Sequence, residues 1–230
     1  ISMHPEWTAS QTDIYLAPTQ EIKRHLIKEG TRAEDILVTG IPVRQQFLDA
    51  DCRQKRERNR TRRVLIMGGG LGLMPDLKEL LEKLHSMQGV ESVVITGKNH
   101  KMYEEWVNRY EDVEVLGYTE NISRYMRGAD LVITKAGGIT LFEILHSQVP
   151  LFVIHPFLEQ EMNNARYAAE KGFAKVIWGR REDYIPELEK LLSDEKMMEE
   201  MTGNVRRACK EMIEVSLDEA VGIMEERMTA

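Results

Sequence analysis

The sequence predicts an α/β protein, a doubly wound parallel sheet preceded by one smaller βαβ-like unit. Two observations carry this expectation. From Arg63 onward, six short runs rich in β-branched residues recur: 64–67, 92–95, 113–116, 131–133, 151–154 and 175–177. Between them lie segments of helix length, such as Leu77 to Leu84, whose apolar residues return every three or four positions. Strand and helix patterns in alternation give a parallel sheet, because a crossover helix must return the chain to the same end of each strand. Ligands of such sheets sit at the carboxyl ends of the strands, so the loops there are the places to look for chemistry.

Composition sets the outer limits. The chain has 230 residues, 42% of them hydrophobic and 30% charged, with 31 Lys and Arg against 38 Asp and Glu for a formal net charge of −7. That is a globular composition, and at about 100–200 residues per domain it suits one large domain with an appendage. An acidic balance argues against coating nucleic acid by bulk charge, so no nucleic-acid partner is expected. No apolar run reaches the roughly 20 residues needed to span a bilayer. Cys52 and Cys209 form neither a disulfide framework nor a zinc-binding pair, which suits reduced thiols in the cytoplasm. The sequence opens Ile1-Ser2-Met3-His4-Pro5, without an initiating Met or a secretory pattern, and suggests a fragment or a processed chain.

Taken in order, Asp13 to Ala17, a helix around Glu21 to Lys28, and Ile36 to Thr39 make the βαβ-like unit, with too little apolar surface to stand as a domain. Gly40-Ile41-Pro42-Val43-Arg44 has the punctuation of a linker or hinge. The stretch 53–63 is densely basic; it is either a solvated loop or a patch for anionic lipid. The expected division is therefore 1–44, 45–63 as a basic linker, and 64–230. A charged helical segment from about Asp194 to Arg227 is expected to pack across the large domain.

Three strand-end loops carry the chemistry. After the first strand of the large domain, Met67-Gly68-Gly69-Gly70-Leu71-Gly72 permits close backbone approach to a ligand. It matches neither the dinucleotide fingerprint, whose third glycine position is Leu73, nor a P-loop, and so disfavours a dinucleotide oxidoreductase. After the strand 131–133, the string Thr134-Lys135-Ala136-Gly137-Gly138-Ile139-Thr140-Leu141-Phe142-Glu143 opens a helix. Its amides would face an anion at a helix N-terminus, and Glu143 lies near enough to accept both hydroxyls of a ribose. After the strand 151–154, the loop from His155 to Ala165 gathers amide and carboxylate side chains suited to vicinal hydroxyls. Gly97-Lys98-Asn99-His100 and Gly117-Tyr118-Thr119-Glu120 complete the rim.

These residues resemble the C-terminal, UDP-sugar-binding half of GT-B-fold diacylglycerol glycosyltransferases, the group of monogalactosyldiacylglycerol synthase and processive diacylglycerol β-glucosyltransferase. The resemblance is carried by VTGIPVRQQF at 38–47, GKN at 97–99, LGY at 116–118, ITKAGGITLFE at 133–143 and EQEMNNA at 159–165. It implies a Rossmann-like C-terminal domain of a GT-B fold with a remnant of the N-terminal domain. It implies that Gly69, Gly70, Lys135, Gly137, Gly138, Ile139 and Thr140 meet the donor diphosphate and Glu143 the ribose. Gly117 and Tyr118 would lie beside uracil, and Gln160, Glu161 and Asn164 would orient the hexose. The loop departs from the family's Gly-Gln-Glu in carrying Glu159 before Gln160.

The function so implied is the donor-binding part of an inverting transferase that moves a hexose from UDP-glucose or UDP-galactose to diacylglycerol. A donor-binding subunit of a split glycosyltransferase and a domain like the lipid II GlcNAc transferase are the alternatives. No metal and no further cofactor are expected, since no metal-ligand motif is present and Lys135 with helix dipoles can neutralise a diphosphate. The general base and the lipid acceptor site would belong to an N-terminal domain ahead of Ile1, leaving this piece inactive by itself. The expected location is cytoplasmic, peripherally associated with the membrane.

Overall fold

The computed structural model describes residues 12–48, 61–68, 77–179 and 183–229. Two parallel sheets occur among them. The small one pairs β1 (Tyr15–Ala17) with β2 (Ile36–Val38), joined by α1 (Gln20–Lys28). Thr19 caps α1 by accepting from the Ile22 amide, and Ile22 and Leu26 turn the helix's apolar side onto Ala17, Ile36 and Val38.

The large sheet holds six strands: β3 (Arg62–Met67), β4 (Val90–Ile95), β5 (Val113–Leu116), β6 (Leu131–Thr134), β7 (Leu151–Ile154) and β8 (Ala174–Ile177). All its pairings are parallel, in the order β5-β4-β3-β6-β7-β8. The chain thus winds outward from β3 to β5, returns to the centre, and winds the other way. The order reverses between β3 and β6, which opens a crevice at their carboxyl ends where such sheets hold ligands.

Period-two alternation divides the strands between two cores. Leu65, Met67, Val93, Val132 and Val153 face one side, while Val64, Ile66, Val94, Ile133 and Phe152 face the other. Because helices cover both faces, the strands are continuous apolar runs rather than alternating ones. The first core is closed by α4 (Ile122–Gly128), α5 (Gly138–Ser147) and α6 (Glu159–Glu170). The second is closed by α2 (Leu77–Ser86), α3 (His100–Trp106) and α7 (Tyr184–Ser193), with α8 (Glu195–Met212) contributing to both.

The segment expected to be a hinge is seated on the large domain. Gly40 adopts a left-handed φ of 75° and approaches the Phe142 ring, Ile41 and Val43 pack on the first core, and Phe47 is buried in it. Gln46 donates to the Glu120 carbonyl at 2.7 Å and accepts from the Ser123 hydroxyl at 2.8 Å. The alternate apolar residues at 41, 43 and 47, not the Gly and Pro between them, decide where this segment lies.

The C-terminal segment goes further than packing across one domain. After α8 the amides of Glu214 and Val215 both donate to the Val38 carbonyl, and α9 (Leu217–Thr229) brings Arg227 to Asp35 at 2.7 Å and to the Glu34 carbonyl at 2.8 Å. The segment after α8 therefore returns to the small unit. Of the basic stretch, residues 53–60 lie outside the described ones; Arg62 pairs with Glu195, and Arg63 with Glu91 at 3.2 Å.

One glycine shows how tightly α6 is terminated. Gly172 has a φ of 73°, and a Cβ there would stand 2.6 Å from Asn204 Nδ2, the same atom that donates to the Gly172 carbonyl at 2.9 Å. Gly172→Ala must adopt a strained backbone and displace that bond, a loss of about 2 kcal/mol. Thermal unfolding should show it as a Tm lowered by about 5 °C.

Candidate functional site

The carboxyl ends of β3 to β6 enclose a cleft of about 480 Å³. Its floor is apolar, formed by Met67, Ile95 and Ile122; its rim is polar, with Lys98, Tyr118, Thr119 and Thr140, and Arg44 and Glu143 stand together at one side. An apolar floor with a few convergent polar groups is the usual make-up of a small-molecule site.

At the opening of α5, Gly137 occupies the N-cap position with extended backbone and no side chain capping the helix. The Leu141 amide is the first to bond within the helix, to the Gly137 carbonyl at 2.9 Å. Helix geometry therefore leaves the amides of Gly138, Ile139 and Thr140 pointing outward along the axis, where the macrodipole favours an anion. Gly137 differs from the expectation that its amide would join them: it donates to the Lys135 carbonyl at 2.9 Å, which shapes the turn. Thr140 does not cap the helix and instead lines the cleft.

Glu143 follows in the second turn of α5 and is 5% exposed, among Leu141, Phe142, Ile144 and Leu145. Burial raises its carboxyl pKa above the ordinary glutamate value, and the Arg44 guanidinium opposes that rise. Arg44 donates from Nε at 3.1 Å and from Nη2 at 2.9 Å, both to Oε1.

The other residues singled out in the sequence take varied places. Lys135 holds its ammonium 5.1 Å from the centre of the Phe157 ring. Gly117 sits beside the Gly97 loop, and Tyr118 projects from the rim, 67% exposed. Gln160 lies against Gly138, where an added Cβ would be 3.4 Å from its Nε2. Glu161 is buried, and its Oε2 accepts from the Phe157 amide at 3.5 Å. Asn164 is also buried, and its Nδ2 donates to the Ala136 carbonyl at 2.8 Å, so α6 holds the glycine turn in place through this side chain. Gly69 and Gly70 lie outside the described residues. No group of three or more metal-ligating side chains occurs among the described residues.

Two features escaped the sequence reading. The sequence places Arg44 in the hinge segment and gives it no role in the site, because its partner is 99 positions away. His155 adopts a left-handed φ of 48°, and its Nδ1 is buried without a partner among the described residues. A histidine directly after an apolar strand was its one visible signal.

Comparison with known proteins fits this geometry. The family model described as "Glycosyltransferase family 28 C-terminal domain" matches residues 63–217, and the model "Monogalactosyldiacylglycerol (MGDG) synthase" matches residues 2–43. A processive diacylglycerol beta-glucosyltransferase of Bacillus licheniformis is 35% identical over 217 residues, covering 89% of this chain and 55% of that protein. The chain spans about half the length of the curated relatives it matches. Among solved structures, the glycotransferase of kitacinnamycin has a TM-score of 0.64 at 20% identity, covering 86% of this chain and 51% of the other. MurG of Acinetobacter baumannii has a TM-score of 0.54 at 19% identity, covering 77% and 52%. The two structures share the fold; the family model, which spans more than half of the sequence, shows the kinship, and the chain belongs to the glycosyltransferase family 28 C-terminal domain family.

Proposed function

We propose that this chain is the donor-binding part of an inverting glycosyltransferase that moves a hexose from a UDP-sugar to diacylglycerol. The observation that carries the reading is the placing of two polar elements on one helix: the outward amides of Gly138, Ile139 and Thr140 at its end, and the Glu143 carboxylate in the cleft just behind them. A nucleoside diphosphate presents an anion and a pair of vicinal hydroxyls, and the two elements suit these in turn. Lys135, which would have to turn from Phe157, is assigned to the diphosphate side, as are Gly69 and Gly70, which lie outside the described residues. Gly117 and Tyr118 flank the uracil, and Gln160, beside Gly138, reaches the hexose with Glu161. Asn164 serves that end of the site by fixing the glycine turn.

In the reaction the acceptor hydroxyl oxygen bonds to the anomeric carbon as the bond to the diphosphate oxygen breaks. The electron pair leaves on UDP, where the α5 amides and dipole stabilise it, and the hydroxyl proton passes to a general base. That base and the lipid site are assigned to an acceptor-binding domain, of which residues 1–44 are the C-terminal remnant and hinge. The names of the curated relatives support diacylglycerol as the acceptor and glucose as the sugar. No helix among the described residues is long and apolar enough to cross a membrane.

Calorimetric titration with UDP, UDP-glucose, UDP-galactose and NADH tests the reading. Uridine nucleotides should bind at micromolar to millimolar concentration, unaffected by EDTA, and NADH should not. Binding of NADH in preference to UDP would overturn it.

A further inference from the structure

The contact between Arg44 and Glu143 has an unusual form. A guanidinium paired with a carboxylate commonly spans both oxygens with two parallel bonds. Here both bonds, 3.1 and 2.9 Å long, end on Oε1, and Oε2 has no partner among the described residues. The guanidinium is itself held, 5.4 Å from the centre of the Phe47 ring. Phe47 is buried in the core and its carbonyl accepts from Arg127 at 2.8 Å, while neighbouring Gln46 is fixed to Glu120 and Ser123. Arg44 therefore reaches Glu143 from a segment anchored beside it.

We propose that Arg44 is a positioning residue for nucleotide binding: it grips the Glu143 carboxylate by Oε1 and keeps it charged, with both acceptor positions of Oε2 left for the two ribose hydroxyls. The inference rests on the donor reading above for its ligand, and on the geometry alone for the grip. A carboxylate this deeply buried would otherwise tend to take up a proton, and a carboxylic acid is a poorer acceptor for two hydroxyls. Arg44 is the charged side chain in contact with Glu143 among the described residues; Lys98 and Tyr118 line the same cleft from the loops after β4 and β5, and Lys135 turns to Phe157.

The test compares Arg44→Met and Arg44→Lys with the wild-type chain in two measurements. The first follows the Glu143 carboxyl carbon by NMR across a pH titration without nucleotide. The second measures UDP-glucose affinity at neutral and at lower pH. In Arg44→Met the Glu143 midpoint should move to higher pH, and UDP-glucose should bind about tenfold more weakly at neutral pH, with a larger loss in acid. Arg44→Lys should keep the midpoint near the wild-type one but recover only part of the affinity, since an ammonium lacks the two-pronged grip. A Glu143 midpoint unchanged in Arg44→Met overturns the inference, whatever happens to affinity. A wild-type chain that does not bind UDP-glucose overturns the donor reading alone, because the carboxyl titration still reports on Arg44.

Discussion

Glu143→Gln is expected to weaken UDP binding about 100-fold while leaving the folded chain at least as stable. The carboxylate would receive two ribose hydroxyls, and hydrogen bonds to a charged group contribute about 1.5–3 kcal/mol each. Two at the lower end amount to about 3 kcal/mol, or two decades in Kd. The amide replacement keeps the shape and loses the charge. Its effect on folding runs the other way, because burial raises the Glu143 pKa. A carboxyl that holds its proton more tightly when folded favours folding at low pH, and that contribution is lost as pH rises through its shifted midpoint. At neutral pH the ionised group opposes folding, so glutamine removes a cost; the half-exposed Arg44 it leaves behind can be hydrated. The pH dependence follows. UDP-glucose, whose diphosphate keeps its charge, should bind the wild-type chain more weakly as acid protonates Glu143, and should bind Glu143→Gln with an affinity that this titration no longer governs. Calorimetry over a pH series, with Tm recorded alongside, checks both halves.

Phe142→Ala should produce the largest loss of stability, about 3–5 kcal/mol. The ring is wholly buried in the core between the sheet and α5, and it also touches the Gly40 turn of the connecting segment. Its removal leaves a cavity where the segment, α5 and the core meet. For a chain of this length the Tm should fall by roughly 10 °C. Because Phe142 bears on both sides of the joint, scanning calorimetry should show the unfolding transition moving as a whole. A variant whose main transition stays in place while a minor one moves would mean that the small unit and the large domain melt independently.

The fold was legible because its signals are local. Val64 to Met67 and Leu151 to Ile154 are apolar on both faces, which marks buried parallel strands, and the helical periods between them fixed the alternation. The opening of α5 was legible for a similar reason: Gly137 and Gly138 between a strand and a helix declare the turn. What could not be read is what depends on distant partners. Arg44 meets Glu143 across 99 positions, and Arg227 meets Asp35 across 192. The resemblance places Asn164 beside the hexose, but the bond from its amide to Ala136 on the neighbouring loop exists only once β6 and β7 lie side by side. The connecting segment shows the same limit, since Gly40 and Pro42 suggested a hinge while the burial of Phe47 fastens it down.

The central claim is that the opening of α5 holds a uridine diphosphate. Its most direct test is an amide NMR titration of the chain with UDP. The resonances of Gly138, Ile139 and Thr140 should move most, together with those of Gly117 and Tyr118. UDP-induced shifts elsewhere, such as around the joint of Thr19, Lys171 and Glu211, with residues 138–140 unmoved, would contradict it.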